Sequence, residues 1–507
     1  MKQDEFRYRY IVKVGSSIAI ALLNMIIQFI LPRALSVEEY GYYTYNLNVF
    51  TSVVMLANLS TSNAFIAKYS KRNQEIGLIY FYLKFFAIVA LGLNIAVFIF
   101  FKCGISGNAF AGQTIEIVLL GLEASIISKL LTDCISIYDA AAISRFPAIL
   151  QIILKMTVSV VIVLGYFANR LDLTFFYITQ TSITFLIIVI LLYAIIMEQK
   201  RVYQDKIVHS TKEYIREFYV FCKPLVLAII VAQIFTIIMN WALMKWAGAV
   251  EQAMFGAAWQ LNTLVAYVFS PYAELSKREF AIVSSQKKIL KIKVDQAMKL
   301  MVWLTSYFAI FIAVNADWIL PIIYGNKYND AKIVTGIIMV YTIYQAWGQI
   351  AGAYMIALEK TKVNAVISIL GQVMNLIFVI LFQIPNVFFP NSLGAMGIAL
   401  NYLLANMVTS CVSVIYIYIS LEMSSRKIIL NHLASIALCS ISAILLRYMC
   451  NALFFENALL YFIVKILISG LIYTCIFLAT IFIKPELIGV NKITLTSIFK
   501  SNKINRN

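Results

Sequence analysis

Three ionisable residues, Glu123, Lys129 and Asp133, stand inside one apolar run of the chain, 115–138. Lys129 and Asp133 are four residues apart, which on a helix sets them one turn apart and near the middle of the run. A charge at the centre of a bilayer costs at least ~2.5 kcal/mol on insertion scales, so residues of this kind need partners. Two readings stand. The two residues form a neutralising structural pair, or they form an ion-coupling switch in which a substrate competes for the lysine. The next run carries Gln151 and Lys155, again one turn apart.

Uncharged polar residues repeat the theme. In the first apolar run Lys13, Ser17, Asn24 and Gln28 fall within about 60° of one another at 100° per residue, a polar stripe along one helix face. Gln233 and Asn240, seven apart, repeat it; so do Gln345 and Gln349 in another run, and Asn364, Ser368 and Asn375 in the next. Interhelical hydrogen bonds in a packed bundle, worth about 0.6 kcal/mol each, would explain any one of them. Stripes in both halves of the chain favour a hydrated central cleft. The runs hold five lysines (Lys13, Lys84, Lys129, Lys155, Lys465) against two acids (Glu123, Asp133), so a cleft built from them would attract anions. Lys13, Lys84 and Lys155 are also near enough to run ends to snorkel. The expected substrate-cavity residues are Lys13, Asn24, Gln28, Lys129, Gln151, Lys155, Gln233 and Asn240.

Catalytic chemistry is not indicated. The seven cysteines form no CxxC pair and lie mostly in apolar runs, as small buried hydrophobes do. The two histidines, His209 and His432, lie in or beside polar segments. There is no HExxH, GxSxG, Walker loop or GxGxxG fingerprint. No metal, no cofactor and no enzymatic activity are expected.

The elements that position these residues are membrane spans. The 507 residues are 62% hydrophobic and 13% charged, which excludes a soluble globule. Fourteen helices are expected, at 11–31, 44–65, 77–101, 115–138, 147–168, 173–197, 224–244, 253–273, 299–320, 333–357, 363–384, 395–420, 428–449 and 458–483. All eight prolines lie at or beside an expected end, and no span reads as broken in its middle. The first run is too long for a signal core and reads as a retained helix.

With the N-terminus inside, the cytoplasmic segments hold 29 of the 41 Lys and Arg, the outer segments 7 and the spans 5, with Lys299 and Arg447 at span ends counted in the adjoining segments. Bases stay cytoplasmic during insertion, so both termini are expected in the cytoplasm. The net charge of +17 is then mainly topology, and no nucleic-acid partner is needed. The polar stretches 198–223 and 274–298 read as solvated loops, with amphipathic surface helices as the alternative.

Glu38-Glu39, Gly41 and Asn46-Leu47-Asn48 recur as Glu251-Gln252, Gly256 and Gln260-Leu261-Asn262, six spans later. Parallel six-helix lobes follow from such a repeat. The expected organisation is an N-terminal lobe over 1–222 with its cytoplasmic linker, a C-terminal lobe over 223–421, and two additional helices with a cytoplasmic tail over 422–507.

The segment Leu31-Pro32-Arg33-Ala34-Leu35-Ser36-Val37-Glu38-Glu39-Tyr40-Gly41-Tyr42-Tyr43 resembles the one that follows the first helix in bacterial polysaccharide-repeat flippases. These are the Wzx-type O-antigen transporters of the multidrug/oligosaccharidyl-lipid/polysaccharide (MOP) superfamily. Ile319-Leu320-Pro321-Ile322-Ile323-Tyr324-Gly325-Asn326-Lys327-Tyr328 is similar to the family's turn after helix nine, and Gly394-Ala395-Met396-Gly397-Ile398-Ala399 to its start of helix twelve. Gly256-Ala257-Ala258-Trp259 occupies the place of the second-lobe glycine motif. The resemblance implies an all-α, MATE-like, two-lobed transporter in the bacterial inner membrane. Its activity would be to move a lipid-linked oligosaccharide of the undecaprenyl pyrophosphate type by alternating access, driven by protons or sodium. A polysaccharide polymerase and a chain-length regulator would be its partners.

Many relatives carry an acid followed by a base near the end of helix seven, whereas this chain has Asn240-Trp241. That departure makes Glu123 and Asp133 the ion-coupling candidates. A MATE-type multidrug or cation exporter and a lipid II flippase are the alternatives. The exporter is disfavoured by the lysine excess in the spans, and a glycan polymerase by the lack of a large outer loop.

Overall fold

The computed structural model describes residues 6–70, 72, 75–104, 106–110, 112–141, 143–202, 210–423, 425–453 and 459–485. Among them there is no strand. The chain divides into two compact units, Met1–Ala253 and Met254–Asn507. The first holds α1 (Phe6–Ala34), α2 (Val37–Asn58), α3 (Thr61–Tyr69), α4 (Ile76–Lys102), the single turn α5 (Ser106–Ala109), α6 (Ile115–Ala140), α7 (Arg145–Phe167) and α8 (Leu173–Val202). Two helices that meet at Gly248, together α9 (Thr211–Ile282), run through the division. The second unit continues with α10 (Lys287–Val314), α11 (Ala316–Tyr324), α12 (Lys332–Ala357), α13 (Thr361–Gln383), α14 (Gly394–Ser420), α15 (Ser425–Leu453) and α16 (Leu459–Ile483).

Eleven helices are long and apolar enough to cross a membrane, or twelve when the bent pair α2–α3 is one span. Each of the fourteen expected spans coincides with helix. The two counts differ because the two helices of α9 enter as one stretch, and because α6 holds Glu116, Glu123, Lys129, Asp133 and Asp139, too many charges for a purely apolar test. The protein is an all-α, polytopic membrane protein. In the first unit α4 packs on α6, α6 on α8 and α7 on α8; in the second, α10 packs on α12, α12 on α14 and α13 on α14. The two units therefore repeat one packing order. The additional helices close onto this plan, α15 against α10 and α16 against α11.

Three local expectations are corrected. The second span is broken: Leu59 and Ser60 both take left-handed backbone angles, and α3 turns 57° away from α2. Proline was the wrong marker. The break is made by the polar run Asn58-Leu59-Ser60-Thr61-Ser62, whose short side chains bond local groups in place of the helical ladder. The ninth span is interrupted at Asn315, which donates its side-chain amide to the Phe311 carbonyl at 2.9 Å. The stretch 274–298 is helix up to Ile282 and again from Lys287, so the loop is only 283–286. Lys287 and Lys293 are anchored there by Glu422 at 2.7 Å and Glu279 at 2.6 Å. The seventh and eighth spans are two helices, as expected, and meet directly at Gly248 (φ 87°), an angle that other residues rarely adopt.

The motif after the first span has a structural meaning. Ser36 caps α2 with a reciprocal box: its Oγ accepts from the Glu39 N–H at 3.2 Å, and Glu39 Oε2 accepts from the Ser36 N–H at 2.9 Å. A Cβ at Gly41 would stand 2.0 Å from the Ala249 carbonyl oxygen, so only glycine lets α2 approach the backbone just beyond Gly248.

Candidate functional site

Two of the expected ionisable residues meet at the α2–α3 break. Lys129 and Asp133 of α6 form a salt bridge. Asp133, 2% exposed, also accepts from the Tyr82 hydroxyl of α4 at 2.7 Å. Lys129 Nζ donates to Ser62 Oγ at 2.6 Å, immediately past the break. Ser62 Oγ lies 3.0 Å from Tyr82 Oη, and Asn58 Nδ2 donates to the same hydroxyl at 3.4 Å. The side-chain oxygen of Asn58, Oδ1, accepts from Thr61 Oγ1 and from the Ser62 N–H. One buried ion pair is thus wired through neutral hydroxyls and an amide to the point at which the span bends. Such a network ties the geometry of the break to the contacts of the ion pair.

The far end of α3 is held from another direction. Glu217 of α9 pairs with Lys68 at 3.0 Å and with Arg72 at 2.5 Å, and Arg72 also reaches Glu75 at 3.5 Å. Burial alone would push the Glu217 carboxyl up, but the hydrogen bonds and charges of Arg72 and Lys68 prevail and hold it below its ordinary range. Arg72 is pushed up by the same pairing, against the opposing effect of burial. The short helix past the break is therefore pinned at both ends by ionic contacts.

The remaining expected residues do not all join this network. Glu123 is held by Asn94, whose Nδ2 donates to it at 2.7 Å. Asn240 Oδ1 accepts from Asn48 Nδ2 at 3.1 Å and from Gln252 Nε2 at 3.0 Å. Asn240, Asn48 and Gln252 thus form a neutral amide cluster. Asn24 and Gln28 lie half-buried on α1, and Gln151 and Lys155 half-buried on α7, two helices that pack on one another. Gln28 Oε1 is buried with no hydrogen-bond partner. Gln233 is half-buried on α9. The Lys13 side chain lies outside the described residues, as does His209, whereas His432 is buried in α15 against Trp347. Lys84 is exposed, and Lys465 is 2% exposed beside Asn451 and the Trp318 ring. Among the described residues no cluster of three or more His, Cys, Asp or Glu could hold a metal.

Sequence reasoning missed Asn58, Ser62 and Tyr82. Their signal was present, because five polar or small residues in succession at 60–64 are anomalous inside an apolar run.

In the second unit the stripes of α12 and α13 meet α14 around a cavity of 440 Å³. Gln345, Gln372, Asn375 and Asn406 line it, with Tyr341 and Tyr402. Ser410 Oγ stands 3.0 Å from where a Cβ on Gly348 would be, so the absent side chain there leaves α12 and α14 close together.

No protein-family model matches the chain, and no curated protein does. Among solved structures, the lipid II flippase MurJ in an inward closed conformation aligns with a TM-score of 0.66 at 17% identity, covering 95% of this chain and 99% of that one. A multidrug resistance MATE family transporter of the MOP superfamily, inward-facing, aligns with a TM-score of 0.63 at 14% identity, covering 80% and 94%. At these identities what is shared is the fold.

Proposed function

We propose that the protein is a flippase that carries a polyprenyl-pyrophosphate-linked oligosaccharide repeat unit across the bacterial inner membrane, for O-antigen, capsule or another surface polysaccharide. The observation that carries this reading is the extent of the shared fold. The flippase MurJ matches nearly the whole chain, whereas the MATE transporter leaves out a share comparable in length with α15, α16 and the tail. The sequence motifs at 31–43, 319–328 and 394–399 point the same way. A pyrophosphate headgroup is anionic, so lysines in the spans suit it, and sugar hydroxyls suit the Asn and Gln stripes.

In this reading Lys13, Asn24, Gln28, Lys129, Gln151, Lys155, Gln233 and Asn240 serve the substrate, and Asp133 and Glu123 serve the coupling ion. The Lys129–Asp133 pair gives the coupling a physical form. A proton on Asp133 removes the charge that holds Lys129, frees the lysine for an anionic headgroup, and loosens the bend at Leu59-Ser60. A sodium ion beside Asp133 would compete with Lys129 to the same end.

Lipid II transport is the second reading, favoured by the MurJ match. Cells lacking this protein separate the two. Loss of surface polysaccharide with intact cell-wall synthesis supports the oligosaccharide flippase, and arrest of wall synthesis supports lipid II. Normal surface polysaccharide and normal wall synthesis together would sink both. Proteoliposomes test coupling: if neither a pH nor a sodium gradient changes the translocation rate, Asp133 and Glu123 have no coupling role.

A further inference from the structure

The cavity between α12, α13 and α14 carries a second inference, which rests on the flippase reading. It is a polar chamber built into apolar helices. Gln345 Oε1, Gln372 Oε1, Asn375 Oδ1 and Asn406 Nδ2 belong to its lining, and all four atoms are buried with no hydrogen-bond partner. A buried polar atom left unpaired costs about 1–3 kcal/mol, so these side chains gain by turning toward an occupant of the chamber that carries hydroxyls. No Lys, Arg, Asp, Glu or His lines it, which removes a pyrophosphate as the natural occupant.

Two aromatic residues line it as well. Tyr341 and Tyr402 stand 5.6 Å apart, and Trp259 backs both, at 5.6 Å and 4.8 Å between ring centres. The volume of 440 Å³ falls inside the ~300–1,000 Å³ usual for small-molecule sites. Amide acceptors and a donor beside flat aromatic faces match the two sides of a pyranose, whose hydroxyls both donate and accept and whose C–H face is apolar.

We propose that this cavity binds a neutral sugar residue of the lipid-linked substrate, apart from whatever holds the pyrophosphate. Amides on three separate helices bond its hydroxyl and N-acetyl groups, and the tyrosine rings cover its apolar face. The division of labour is chemical: cationic groups take the charge common to every polyprenyl pyrophosphate, and the neutral chamber reads the glycan.

The test uses the full chain in lipid nanodiscs and two probes, undecaprenyl pyrophosphate bare and the same lipid carrying one N-acetylglucosamine. Binding of each is measured by native mass spectrometry, in sodium and in potassium buffer. The wild type should bind the sugar-bearing probe at least about tenfold more tightly than the bare one, in either salt. Gln372→Leu with Asn375→Leu should bring that ratio close to one and leave bare-probe binding unchanged. Asn406→Leu, on a different helix, provides an independent variant if the double substitution does not fold. Equal binding of both probes by the wild type overturns the sugar site while leaving the flippase reading intact, as does a ratio that the variants do not move. A ratio seen only in sodium overturns it in favour of a cation site. Failure of the wild type to bind either probe removes the flippase reading and this inference together.

Discussion

Asp133 is surrounded by groups that need its negative charge: the Lys129 ammonium, and a Tyr82 hydroxyl that donates to it at 2.7 Å. Replacing one member of a buried ion pair strands the other and typically costs about 3–5 kcal/mol, whereas replacing both with apolar residues of similar size is often neutral. Asp133→Asn should therefore lower the unfolding free energy in nanodiscs by an amount of that order, and Asp133→Leu with Lys129→Met should recover most of it. The double variant also separates structure from coupling. It should be stable yet translocate more slowly, since Lys129 is lost to the substrate, and at a rate that no longer responds to a pH gradient; an unchanged rate and response would confine the pair to a structural role. At this scale the sequence was partly legible. The i, i+4 spacing makes the pair readable without a structure, because one helix carries both members. Ser62, Tyr82 and Asn58 come from two other helices, and no local periodicity encodes their meeting. Asn240 was legible in the opposite sense, since the absent acid and base foretell the neutral cluster it forms with Asn48 and Gln252.

Among the elements, α2 and α3 show how a few residues set the path of a span. A methyl group at Gly41 would meet the Ala249 carbonyl at 2.0 Å, a backbone atom that cannot swing aside. Gly41→Ala should destabilise by about 1–3 kcal/mol or more, measured by thermal unfolding in nanodiscs. Gly15→Ala is the matched control: its added Cβ has no neighbour within 4 Å and should change little. The clamp on α3 gives the pH dependence of this element. Glu217 titrates below its ordinary 4.5 because Arg72 and Lys68 stabilise its charge against the effect of burial. Its contribution to stability is thus complete above the unfolded value and disappears as pH falls through the lower folded one. Between about pH 5 and pH 3 the wild type should lose stability more steeply than Glu217→Gln, which lacks the contribution at every pH. Parallel slopes would show that the clamp contributes nothing. Glu422, also lowered by Lys287, remains in both proteins and cancels from the comparison. The apolar runs made nearly every helix legible. The breaks at Leu59-Ser60 and Asn315 were not, because Asn, Ser and Thr bend a helix through hydrogen bonds that hydropathy does not register.

For the whole molecule, the charge of +17 raises the question of orientation more than that of partners. The architecture was legible because a membrane forces every span to satisfy its own backbone, which leaves helices as the economical solution for a chain this apolar. What binds was less legible, because the amides around the second unit's cavity are neutral residues that converge only in three dimensions. Orientation follows from an asymmetry visible along the whole chain: with the N-terminus inside, 29 of the 41 bases fall on the cytoplasmic side and 7 outside. The loop 283–286, flanked by Lys287 and Lys288, and the turn at Glu359-Lys360 should then face the cytoplasm, and the loop 384–393, which holds no base, should face outward. In a background with all seven cysteines replaced, a membrane-impermeant maleimide applied to cells whose outer barrier has been opened should label Phe388→Cys at once. It should reach Ser285→Cys and Glu359→Cys only after the inner membrane is permeabilised. The three native residues are exposed, so burial does not explain a missing signal. Labelling of 285 and 359 in intact inner membranes, with 388 protected, would invert the protein. A substrate assembled on the cytoplasmic face would then meet the opposite end of the molecule.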